Sequence, residues 1–127
     1  MSLLLDTHVF FWWITDDARL PEVHRARIAA GAQPIFVSAV TGWEIATKVK
    51  TGKWPEAAVL LPDLAAKILG EGFQCLDVTV AQAEYAGSMP LLHRDPFDRF
   101  LAAQALGLDI SIATVDPAFK LFGCKTV

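Results

Sequence analysis

Short apolar runs recur along this chain, separated by longer stretches in which apolar residues return every three or four positions. "LLL" (3–5), "PIFV" (34–37), "FQCLD" (73–77) and "ISIAT" (110–114) read as strands, with a further short one expected at the C-terminus. They are leucine-rich or β-branched and do not alternate with polar residues, the pattern of strands covered by helices on both faces. Helical spacing predicts helices at about 8–15, 21–30, 39–51, 62–70, 79–88 and 96–107. "KTGKWPE" (50–56) reads as a turn between helices, marked by Gly52 and Pro55. The strand–helix–strand order implies a three-layer α/β domain with a parallel sheet. No repeat, low-complexity segment or linker interrupts it, and 127 residues suit a single domain spanning 1–127.

Composition alters this picture in three ways. The hydrophobic share of 54% exceeds the usual globular range of about 45–50%, so a homodimer or a tight protein partner is expected. Cys75 and Cys124 are too few for a disulfide framework and read as buried thiols in a reducing cytoplasm. No zinc-ligand spacing joins them to His8, His24 or His93. The apolar start "MSLLLDTHVFFWWIT" lacks a basic segment and is broken by Asp6 and His8. It reads as neither signal peptide nor membrane span, which predicts a cytoplasmic protein without membrane attachment. A net charge of −3, from 11 basic and 14 acidic residues, argues at first against a nucleic-acid partner. If four carboxylates hold metal, however, 11 basic residues face 10 acidic ones, and net charge decides nothing.

Four acids have ordinary explanations when taken singly. Asp6 follows a strand and precedes a helix, where aspartate commonly caps. Asp116, in "IATVDPAF", and Asp95, in "HRDPFDR", each precede a proline suited to the first helical position. Asp98 then falls at the third helical position, where an acid completes a capping-box-like pair. Glu44, in "SAVTGWEIATKVK", has Lys48 one turn on, a surface pair worth roughly 0.3–0.5 kcal/mol. Their positions together say more. Ligands of parallel α/β sheets bind at strand C-termini, near a change in strand order. Asp6 and Asp116 follow strands, Glu44 sits about two turns into the helix after "PIFV", and Asp98 opens the helix feeding "ISIAT". Asp98 also shares a stripe with Leu101, Ala102 and Ala105, which turns it toward the sheet. Clustered carboxylates raise one another's pKa unless a cation neutralises them. A hard divalent ion, Mg²⁺ or Mn²⁺, suits an all-oxygen site and points to metal-dependent phosphodiester hydrolysis.

"LLLDTHVFFWW", "VSAVTGWEIATKVKTGK", "HRDPFDRFLAAQA" and "IATVDPAF", in this order, resemble the successive motifs of PIN-domain ribonucleases, most closely the VapC-type toxins of bacterial toxin–antitoxin pairs. The resemblance runs from residue 3 to about 122. It implies a PIN-like α/β domain with a parallel, roughly five-stranded sheet flanked by helices. It also implies a Mg²⁺ (or Mn²⁺) site at the strand C-termini, cleavage of RNA and inhibition by a cognate antitoxin. Carried over, the catalytic acids are Asp6, Glu44, Asp98 (heading "D-x-x-x-x-A-x-A" with Ala103 and Ala105) and Asp116. Asp6 and Asp98 are the most direct metal ligands, with Glu44 and Asp116 binding directly or through water. Thr7, Ser38 and Thr114 are candidates to orient the carboxylates. Asp95 is an extra acid of "DPFDR"-type members, placed beside the site and suited to capping. Lys48, Lys50, Lys53, Arg94 and Arg99 could contact RNA phosphates, Arg in bidentate fashion. His93 reads as structural. Trp12, Trp13, Trp43 and Trp54 could stack bases but have the spacing of core or interface residues, including a groove for an apolar antitoxin segment.

Other acid-rich α/β domains fit less well. A response-regulator receiver needs a phospho-accepting aspartate near the chain middle, where this sequence reads "GKWPE". A haloacid-dehalogenase-like phosphatase needs an aspartate two residues after the first, a position held by His8. A non-catalytic α/β protein-binding module whose acids only cap helices remains the alternative, and metal dependence separates it from a nuclease.

Overall fold

A computed structural model of the chain describes residues 2–90 and 95–127. Four strands, β1 (Leu3–Leu5), β2 (Ile35–Ser38), β3 (Gln74–Leu76) and β4 (Ser111–Ala113), form a parallel sheet in the order β3-β2-β1-β4. Leu3 registers with Ile35 on one side and Ser111 on the other, making β1 central. The chain builds the sheet outward from β1 to β3, then returns to lay β4 on the opposite side of β1. The strand order therefore reverses between β1 and β4, where α/β sheets open a crevice at their C-terminal ends.

Two faces of the sheet are covered. Within β1, Leu3 and Leu5 join a core with Val9, Phe10 and Ile45, while Leu4 joins another with Leu101, Ile112 and Phe119. That split follows from the two-residue alternation of a strand, and it explains why three consecutive leucines are all fully buried. The helices are α1 (Thr7–Ile14), α2 (Glu22–Ala30), α3 (Ala39–Lys50), α4 (Leu64–Gly70), α5 (Val80–Ser88), α6 (Pro96–Leu108) and α7 (Ala118–Leu121). Ser38 caps α3 by accepting from the Val40 amide, and Thr79 with Gln82 forms a capping box on α5.

Three expectations need correction. The sheet has four strands among the described residues, not five. The C-terminus contributes one bridge, Ile112 to Thr126, because α7 and the left-handed Gly123 (φ 92°) leave only the last few residues extended. Cys75 is exposed rather than buried, since β3 is an edge strand whose Gln74 and Cys75 are uncovered. Cys124 is buried. The segment after Gly52 is more than a turn: Pro55–Leu60 forms a 3₁₀ helix that buries Ala57 and Leu60. Among the described residues no helix is long and apolar enough to cross a membrane. Part of the high apolar content stays on the surface, at Val23, Trp43, Val80 and Leu121 among others.

Candidate active site

Asp6, Glu44, Asp98 and Asp116 line one cavity of about 370 Å³, together with His8, Trp12, Asp95 and Val115. Asp6 is delivered by the end of β1, Asp116 by the turn after β4, Glu44 by α3 and Asp98 by the first turn of α6. The cavity thus opens at the switch in strand order between β1 and β4. Asp6, Glu44 and Asp98 are only 5%, 2% and 7% exposed, whereas Asp116 is half-buried.

The capping explanations separate here. Asp95 caps α6, its Oδ1 accepting from the amides of Phe97 at 2.9 Å and Asp98 at 3.4 Å. Asp116 accepts the Ala118 amide at 2.9 Å and so also turns the chain into α7. Asp6 holds an N-cap position yet makes no side-chain cap bond. Its Oδ2 instead accepts from the Thr114 hydroxyl at 2.7 Å. Glu44 does pair with Lys48, as its spacing predicts, but beneath the surface: Lys48 Nζ donates to Oε2. The other oxygen, Oε1, is buried with no hydrogen-bond partner among the described residues. An unsatisfied buried carboxylate oxygen is costly, and a cation is the natural relief.

The electrostatics have the same cause. Burial pushes the Asp6 carboxyl up to about 6, with the Glu44 and Asp116 charges adding to it and the Thr114 hydrogen bond opposing it. Asp98 is pushed up to about 8, by burial first and then by Asp6, Asp95, Glu44 and Asp116. Among the described residues Lys48 places a cation in this cluster: its ammonium is partly buried, but the Glu44 hydrogen bond and charge, with Asp95 and Asp98, hold its pKa above the usual value. The donor set is all oxygen and net anionic, which suits a hard divalent ion. Among the described residues no three His, Cys, Asp or Glu side chains converge closely enough to hold a metal by themselves. Mg²⁺ does not require that, since it commonly keeps several waters and takes one or two carboxylates. Asp6 and Asp98 could serve as those two.

The remaining predicted residues divide clearly. Thr114 touches Asp6, and its Oγ1 also accepts the Asp116 amide at 3.0 Å, so one hydroxyl ties two of the acids together. The Thr7 hydroxyl bonds Thr41 at 2.9 Å, while its backbone amide helps stabilise the Asp6 carboxylate. Ser38 is engaged elsewhere, donating to Gln104 Oε1 at 2.6 Å. Gln104 in turn donates to the Asp77 carbonyl and to Gln82. Lys50 and Lys53 are exposed. Arg99 spends its guanidinium on the carbonyls of Ala86 and Gly87, tying α6 to α5. Arg94 and His93 lie outside the described residues. Trp13 donates to Glu71 at 2.7 Å, and Trp43 is half exposed against Phe97 and Phe100.

Sequence reasoning did not place His8 and Trp12 in the cavity. Their spacing of four on α1 was the available signal, because it puts both on one face beside Asp6. It also did not find Gln104, a fully buried amide between two alanines.

Comparison with known proteins gives a consistent picture. The sequence matches the family described as PIN domain over residues 3–123. No curated protein matches it. The fold is similar to that of a DNA-bound VapBC from Salmonella typhimurium (TM-score 0.70, 17% identity), with 100% of this chain and 97% of that one covered. A toxin–antitoxin complex from Klebsiella pneumoniae gives a TM-score of 0.61 at 14% identity, covering 91% and 88% of the two chains. The Mycobacterium tuberculosis toxin VapC20, described as cleaving the sarcin–ricin loop, gives 0.63 at 18% identity, covering 97% and 96%.

Proposed function

The chain belongs to the PIN-domain family, and from that premise we propose that it is a Mg²⁺- or Mn²⁺-dependent endoribonuclease acting as the toxin of a type II toxin–antitoxin pair. The observation that carries this reading is the single cavity shared by Asp6, Glu44, Asp98 and Asp116, brought from four separate parts of the chain. Asp6 and Asp98 would hold the ion, with Glu44 and Asp116 joining directly or through water. The bound ion would supply charge balance for the carboxylates and Lewis acidity at the scissile phosphate.

The chain's own residues prepare that site. Thr114 fixes the Asp6 carboxylate through Oδ2 and so limits the geometries in which it can bind. Lys48 balances Glu44 from one side. Asp116, the least buried of the four, is suited to orient the attacking water. Leu101, Ala102 and Ala105 bury the face of α6 behind Asp98, which keeps that carboxylate on a rigid element.

Purified protein should cleave RNA with Mg²⁺ or Mn²⁺ and stop in EDTA, and Asp98→Asn should abolish cleavage. Metal-independent cleavage, or full activity in the Asn variant, would refute the assignment. The toxin role draws on the likeness to toxin–antitoxin complexes and predicts a co-encoded small protein that binds this chain and blocks cleavage. The exposed apolar residues support a homodimer, checked by light scattering. The capping-only alternative is disfavoured by Asp6, which holds a cap position without capping.

A further inference from the structure

The carboxylates leave one wall of their cavity unused, and that wall is aromatic. His8 and Trp12 both line it from α1. Trp54, just before the 3₁₀ helix, lies face to face with the imidazole, ring centroids 4.5 Å apart and planes inclined by 21°. Trp12 stands at a tilt, 6.0 Å away. Phe11 in turn packs on Trp54 at 5.0 Å, so the indole is held from behind. Within this cluster Trp12 is buried and Trp54 half-buried, yet His8 remains exposed.

We propose that His8, backed by Trp54, is a stacking platform for an unpaired nucleobase next to the scissile phosphate of the RNA. This rests on the nuclease reading above. An aromatic plane beside a phosphodiester-cleaving site recognises bases through their π-faces, whatever their sequence. Bases inside an A-form duplex are already stacked and cannot reach such a plane, whereas those in loops and ends can. The cavity, about 370 Å³, is near the lower end of ligand pockets, roughly 300–1,000 Å³, which suits one nucleotide rather than a helix. Exposed Lys50, the last residue of α3, and Lys53, in the turn between it and Trp54, supply positive charge on that side for the RNA backbone.

The test is direct binding, in Mg²⁺ buffer, of a labelled single-stranded RNA and its duplex to the Asp98→Asn protein with His8 intact or replaced. His8→Ala should weaken single-strand binding about tenfold, and His8→Phe should restore it to within about twofold. The duplex should bind at least about tenfold more weakly than the single strand and be insensitive to His8→Ala. Unchanged affinity in His8→Ala, or a Phe variant as weak as the Ala variant, overturns the platform and leaves the nuclease reading standing if the unaltered protein cleaves RNA. Absence of both RNA binding and cleavage overturns both.

Discussion

Replacing Asp98 by Asn should make the metal-free protein more stable, and the gain should grow with pH. In the folded state the Asp98 carboxyl is held up to about 8, against an ordinary value of 3.8. Above 3.8 the unfolded chain has released this proton while the folded chain still carries it. The folded state binds more protons, so stability falls as pH rises from about 4 to about 8 and is flat beyond. Part of this cost is repulsion from Asp6 and Glu44, which their own ionisation shares. For Asp98 alone the cost is about 2–4 kcal/mol at alkaline pH. At about 3–5 °C per kcal/mol for a chain of this size, that is roughly 6–20 °C in Tm. Asn keeps the shape and cannot ionise, so its Tm in EDTA should be higher at pH 8 and lose most of its pH slope. A smaller slope between about 4 and 6 should persist from Asp6, which is held at about 6. Saturating Mg²⁺ should raise the Tm of the unaltered protein at pH 8 by about 3 kcal/mol equivalent at one hundred times Kd, and that of the Asn variant far less. A Tm in EDTA that does not change between pH 5 and pH 8, or an Asn variant that melts lower at pH 8, would refute the electrostatic account of the site.

Lys48→Met should destabilise the metal-free protein by about 3 kcal/mol, because it strands the buried Glu44 carboxylate; urea unfolding measures this. The same variant should leave the salt dependence of RNA binding unchanged, whereas loss of a phosphate contact would lower its slope by about one. Thr114→Val removes the hydroxyl that fixes Asp6 and should cost about 1–2 kcal/mol in thermal melts while raising the Mg²⁺ needed for half-maximal cleavage severalfold. Asp95→Ala should lose about 1 kcal/mol through α6, and Asp95→Asn, which still caps, should recover most of it. In the native protein Cys75 should be alkylated by iodoacetamide within minutes. Cys124, buried and pushed up to about 11, should react only after unfolding, as peptide mass spectrometry would show.

The sequence carried the strands and the helical faces because those follow from unbroken apolar runs and from a spacing of three to four. Leu3–Leu5 is an unbroken apolar run and is buried throughout, and Leu101, Ala102 and Ala105 share the helical stripe that faces the sheet. The Asp95–Asp98 pair was also legible, since proline at the first helical position dates the helix start and puts Asp98 one turn in. Three things escaped this reading. The exposure of Cys75 depends on which strand lies at the edge of the sheet, a tertiary fact that three residues cannot encode. The depth of the Glu44–Lys48 pair depends on what packs over α3, because an i,i+4 pair reads the same on a wet or a dry face. Ser38 was grouped with the acids, but its partner is an amide 66 positions away. Side chains that meet across such distances have no local signature.

The bond from Thr114 to Asp6 spans 108 positions, and it has a consequence for how the protein is made. A ribosome synthesises Asp6 108 positions before Thr114. Until β4 has emerged and settled beside β1, the first acid lacks the hydroxyl that fixes it, and Asp116 does not yet exist. On the proposed function, a nascent chain without β4 lacks one of the four acids and the bond that orders another. The order of the strands works as a delay: the four acids share one cavity only after β4 has joined the sheet.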